Sequence, residues 1–191
     1  MRLTVWIPAV LFAAANLAAA QPTDGLSDLR TAARNQLMSD IRNLMSHVAL
    51  GNCASLINGD TSLRNDAELI DLGFEEIPET AKNPGASGYV VMARTVKNGY
   101  VTIGGIPGSI CEVNAVGPQA ADALKDTRSG VSSFGIDFTP DPANSGKRGN
   151  GTIEALKMQY SDTGQIQAIF VNGATVDGTP TATFQIKIQE Q

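Results

Sequence analysis

Only two cysteines, Cys53 and Cys111, occur in the 191 residues, and a bond between them would constrain the fold more than any other single feature. They stand in different kinds of sequence. Cys53 directly follows an amphipathic stretch, whereas Cys111 ends an apolar run that passes through Gly104, Gly105, Pro107 and Gly108. A bridge would close a loop of about 58 residues and stabilise by roughly 4 kcal/mol, by removing entropy from the unfolded chain. In an exported protein an even cysteine count favours this pairing. The alternative is a reactive free thiol. Two cysteines and the lone His47 do not have the ligand spacing of a zinc site, so neither metal nor cofactor is expected.

Export is itself an expectation. Residues 1–20 open with Arg2, continue as an apolar run broken by Pro8 and Asn16, and end in Ala18-Ala19-Ala20 before Gln21. Small residues at the −3 and −1 positions predict a secretory signal cleaved after Ala20. The apolar part is short for a span, which needs about 20 apolar residues, so no stable membrane span is expected after cleavage. Residues 21–191 then form a single domain, periplasmic or secreted. The formal charge of −5 becomes one unit more negative when Arg2 leaves. With no basic stripe, nucleic acid is not an expected partner. The only tryptophan, Trp6, leaves too, which argues against a sugar-stacking surface, where tryptophan is the usual platform.

Periodicity supplies the elements. Leu26, Leu29, Ala33, Leu37, Ile41, Leu44 and Val48 recur every three or four residues, which predicts one long helix from Asp24 to Leu50, stopped by Gly51. Asn65-Asp66 can cap a short helix over "AELIDLGF" that ends at Gly73. "YVVMARTV" and "YVTIGGI" flank Lys97-Asn98-Gly99, and Asn-Gly between apolar runs is a hairpin signal because both residues tolerate positive φ. The second strand is expected to end or bend at its glycines and Pro107. Pro118 and Gly130 bracket a further helix. "VSSFGIDF" reads as a strand with Phe134, Ile136 and Phe138 inward, and 139–151 as a loop. "IEALKMQY" and "IQAIFV" make a second hairpin. Asp177-Gly178 turns into a last strand in which Phe184, Ile186 and Ile188 alternate with Gln185, Lys187 and Gln189. The predicted fold class is α+β: a long N-terminal helix packed on an antiparallel sheet, with one disulfide.

No catalytic residue is assigned. His47 reads as a helix-end side chain; Ser46 and Asp40 lie near it only in sequence. Glu75, Glu76 and Glu79 read as a solvated acidic turn.

The order of these pieces, over Asp24 to Leu124, resembles the globular part of type IV pilins, in particular the type IVb class. The first helix, "AELIDLGFEEIPE" after it, and "YVVMARTVKNGYVTIGGIPGSIC" leading through a proline to a cysteine carry the resemblance. It implies a pilin-like roll and a non-enzymatic structural or interaction protein, associating with itself or with an envelope partner. In such pilins the cysteine anchors the loop that packs subunits, so Gly104, Gly105, Pro107 and Gly108 become a candidate contact loop. The sequence departs from the family in having no basic leader that ends in glycine before phenylalanine or methionine. The alternative expectation is a periplasmic binder of a small apolar ligand, with a pocket between helix and sheet lined by Met158, Phe170 and Phe184.

Overall fold

A computed structural model describes residues 24–78, 88–134, 137–160 and 165–189. The expected signal segment, Glu79, Ile136 and the turn at Asp162–Gly164 lie outside the described residues.

The long N-terminal helix is not there. The chain forms α1 (Asp24–Leu37), breaks, and resumes as α2 (Ile41–His47). The break has a local cause. Ser39 turns its hydroxyl back to the Gln36 carbonyl, and Asp40 adopts an extended backbone and accepts the Asn43 N–H at 2.8 Å, making it the N-cap of a new helix. Only the second half of the predicted stripe is core. Ile41, Leu44 and Val48 are buried, whereas Leu29 and Leu37 are 67 % and 61 % exposed. Nor does Gly51 stop the helix. One wider turn, Val48–Asn52, carries it into α3 (Cys53–Ile57), so Cys53 is helical. The left-handed stop falls at Gly59 (φ 79°).

After a single 3-10 turn at Leu63–Asn65, α4 (Ala67–Asp71) starts as the sequence predicts. Asp66 accepts the Glu68 and Leu69 N–H groups, and left-handed Gly73 follows. α5 (Ala120–Gly130) runs on into a 3-10 turn, Val131–Phe134, in place of the strand expected there.

The organising element is one antiparallel sheet. Its strands are β1 (Glu75–Glu76), β2 (Val90–Val96), β3 (Gly99–Ile106), β4 (Ile110–Val116), β5 (Thr139–Pro140), β6 (Gly146–Arg148), β7 (Gly151–Gln159), β8 (Ile166–Val176) and β9 (Thr179–Gln189). The order across the sheet is β1-β2-β3-β4-β9-β8-β7-β5, with β6 also on β7. Segment 139–151, read from its composition as a loop, therefore supplies two short strands to one edge. The two-residue β1 lies at the other, and short edge strands leave little backbone open to foreign pairing. Helix α5 inserts between the first group of strands and the second, yet β9 returns beside β4 and joins them.

Two turns show how glycine is used. Asp177 (φ 49°) and Gly178 (φ 79°) make the two-residue turn between β8 and β9, as their residue types demand. In the β2–β3 hairpin, Val96 pairs with Gly99, so the loop residues are Lys97 and Asn98. Gly99 serves another purpose: with φ 156°, it lies where a Cβ would come within 1.9 Å of the Val116 carbonyl oxygen.

Helices α2, α3 and α5 cover one face. Ile41, Leu44, Met45, Val48 and Leu56 meet Val101, Ile103, Val113, Phe184 and Ile186 in one continuous core. Helix α5 lies close because its inner face is small, with Ala120 and Ala123 buried, and because Gly173 of β8 lies under Leu124. No helix among the described residues is long and apolar enough to cross a membrane.

Cys53 and Cys111 are bonded, 5.5 Å apart at Cα, and both are fully buried. This removes the free-thiol alternative. The bond ties α3 to β4, and the preceding glycines explain how the layers come so near. β3 does not break at them; it runs through Gly104 and Gly105 to Ile106. A Cβ on Gly105, the cross-strand neighbour of Cys111, would stand 2.7 Å from Leu56 Cδ2 and 2.2 Å from the Ile110 carbonyl oxygen. Only glycine lets α3 sit down on this part of the sheet.

Candidate functional site

His47 closes α2 and is 31 % exposed at its side chain. Its Nε2 donates to Glu68 Oε1 at 2.9 Å, and Arg34 donates to the same oxygen. Buried Asn52 donates to Asp66 Oδ2 at 3.0 Å and to Glu68 Oε2 at 3.3 Å. The cluster is a polar lock that holds the capped start of α4 against the helices. Ser46 instead bonds Thr127, and Asp40 caps its own helix. Of the acidic group, Glu75 and Glu76 form β1, and Glu76 receives both Arg64 nitrogens at 2.8 and 2.9 Å.

Of the candidate contact loop, Gly104 and Gly105 are buried strand residues, while Pro107 and Gly108 are an exposed turn. That turn is held from below, since Gly108 N–H donates to the Leu56 carbonyl at 2.9 Å. Phe184 lies in the core. Phe170, opposite Gln185 in the register, projects from the other side of the sheet. Met158, Phe170 and Phe184 therefore do not line one cavity between helix and sheet.

That other side carries the most developed polar arrangement outside the helices. Alternation along each strand sends Glu112 and Asn114 of β4, Thr183, Gln185 and Lys187 of β9, and Phe170 and Asn172 of β8 to the face away from α2, α3 and α5. Register then makes them neighbours: Glu112 opposes Gln185, and Asn114 opposes Thr183, which in turn opposes Asn172. The side chains bond along these rungs. Gln185 Nε2 donates to Glu112 Oε2 at 2.8 Å, Asn114 Nδ2 to Glu112 Oε1 at 2.8 Å, and the Thr183 hydroxyl to Asn114 Oδ1 at 2.7 Å. Both oxygens of the carboxylate are thus engaged.

Beside this ladder lies a groove of about 270 Å³ over β7, β8 and β9, with Phe170, Asn172, Thr183, Gln185 and Lys187 in its lining. Asn172 of this lining has its Oδ1 buried without a hydrogen-bond partner, towards Gly151.

Tyr89 closes the other flank. Its ring lies over Gly104, where a Cβ would stand 2.8 Å from the phenol oxygen. Burial, with the Glu112 carboxylate adding to it, pushes the Tyr89 phenol from 10.0 up to about 12. The folded state thus keeps a proton that the unfolded chain releases between pH 10 and 12. The neutral phenol's contribution is complete below pH 10 and is lost as pH rises through 12. In an ultraviolet titration of the folded protein, one of the three tyrosines is expected to ionise near pH 12, and Tyr89→Phe is expected to remove that step. A Tyr89→Phe titration curve that keeps it would show that the phenol is not shielded.

Sequence reasoning missed this site. The alternation of Gln185, Lys187 and Gln189 was legible as the outward side of a strand. Nothing in the spacing signals that Glu112 and Gln185, 73 residues apart, would meet. No protein-family model, curated protein or solved structure matches the chain.

Proposed function

We propose that this is an exported, non-enzymatic structural or interaction protein that works through surface contacts, with itself or with an envelope partner, and that its working surface is the sheet face away from the helices. The one-sided architecture carries this reading: α2, α3 and α5 seal one face, while the other presents long strands with a grooved, hydrogen-bonded surface. The likeness to type IVb pilins supports it through the hairpin that leads past Pro107 to Cys111, although the long helix that shared in the likeness is broken. A buried disulfide suits an oxidising compartment, in keeping with a chain that begins at Gln21 in the periplasm or outside the cell.

The test is site-specific photo-crosslinking in intact cells, with the photoreactive residue at Thr181 or Lys187 on the working face and at Lys125 on α5 as the reference. Adducts are expected from the sheet positions, either to a second copy or to a heavier envelope component, and at least fivefold fewer from Lys125. Adducts from Lys125 alone, or none together with a monomer at every concentration in sedimentation, would overturn the proposal. A second reading, a binder of a small ligand, has the groove over β7, β8 and β9 in its support, in place of the apolar pocket expected between helix and sheet.

A further inference from the structure

The groove's hydrogen-bonding groups are already oriented by the ladder beside it. Gln185 spends its Nε2 on Glu112, which leaves Oε1 as an acceptor. Thr183 spends its proton on Asn114, which leaves its hydroxyl oxygen as an acceptor. Asn172 buries Oδ1 towards Gly151, where a Cβ would stand 2.8 Å from it, so Nδ2 is left as the donor on the groove side. Phe170 adds a half-buried ring, and Lys187 is the one charged residue among the described residues of the lining.

We propose that this groove binds a saccharide bearing a carboxylate, a proposal that rests on the open face being the working surface. A sugar hydroxyl both donates and accepts, so it needs fixed acceptors and a fixed donor side by side. Thr183 and Asn172, directly opposed across β9 and β8, supply that pair, with Gln185 next to them. The apolar C–H face of a sugar ring lies on Phe170, which takes the part a tryptophan would play. The ammonium of Lys187 meets the carboxylate. A volume of about 270 Å³ is at the small end of ligand sites and suits a sugar residue. An extended peptide fits less well. It binds by adding to a free strand edge, and β8 and β9 are paired on both sides.

The mature, disulfide-bonded protein is titrated calorimetrically with a galacturonate tetrasaccharide, a neutral galactose tetrasaccharide and tetraglutamate. The galacturonate is expected to bind at least tenfold more tightly than either of the others. Phe170→Ala is expected to weaken it tenfold or more. Lys187→Gln is expected to reduce it to the level of the neutral sugar, while Lys97→Gln, in the β2–β3 turn, leaves it unchanged. Retained circular dichroism shows that each variant is folded. No binding of galacturonate, equal binding of tetraglutamate, or an undiminished preference in Lys187→Gln overturns the proposal. Crosslinks from the sheet face without saccharide binding leave the surface reading standing and remove the saccharide. Saccharide binding lost in Phe170→Ala, without any protein crosslink, upholds the saccharide and removes the protein partner.

Discussion

Replacing Cys53 and Cys111 together by alanine is expected to lower the stability of the mature protein by about 4 kcal/mol. The bond spans 58 residues, so cutting it restores a long loop's freedom to the unfolded chain. It also joins the helix layer to the sheet. Both cysteines are fully buried between α3 and β4, next to Gly105, where Leu56 of the helix rests directly on the strand backbone. Urea unfolding followed by circular dichroism measures the effect. With a slope of about 2 kcal/mol per molar for a domain of this size, the midpoint falls by about 2 M. Wild-type protein unfolded with reductant present should match the variant. A midpoint that moves by less than a few tenths molar would mean that packing alone sets the layer contact.

Phe184→Ala is expected to cost about 3–5 kcal/mol, and Phe170→Ala about 1 kcal/mol or less. The two rings lie on neighbouring strands, yet on opposite sides of the sheet. Phe184 has no exposed surface. It opposes Val113 on one side and Val171 on the other, under the helices, and its removal leaves a cavity in the core. Phe170 is half-buried over the groove, so truncating it mostly returns surface to water. Thermal or urea unfolding of the two variants compares them directly. Equal losses would contradict the sidedness of the sheet, and with it the assignment of one face to packing and the other to binding.

Local signals were reliable where a few adjacent residues settle the geometry. Asp177-Gly178 makes its turn because both residues accept positive φ. Asp66 starts α4 because its carboxylate reaches two unpaired N–H groups. The alternation around Phe184 sorts β9 into a buried and a wet side. The long-helix expectation failed because its stripe has a helical period on both sides of Ser39-Asp40, and period alone does not register a cap placed in the middle. The strand expected at Phe134 failed in its described part because a 3-10 turn continues α5 there. The strand expected to end or bend over Gly104, Gly105, Pro107 and Gly108 does end at the Pro107-Gly108 turn, but Gly104 and Gly105 are continuous strand, small because Tyr89 and Leu56 of α3 press on them from opposite sides.

By itself, then, the order of residues determined the caps, the tight turns, the sidedness of the last strand and the identity of the two sulfurs that bond. Each of these depends on groups within a few residues of one another, or on there being no other cysteine to choose. The tertiary structure alone decided that β9 returns to lie beside β4. It thereby decided that Glu112, Asn114, Thr183, Gln185 and Asn172 form one surface. Their proximity follows from the register between strands distant in sequence, which is set by how the buried faces fit under the helices. No spacing along the chain records it.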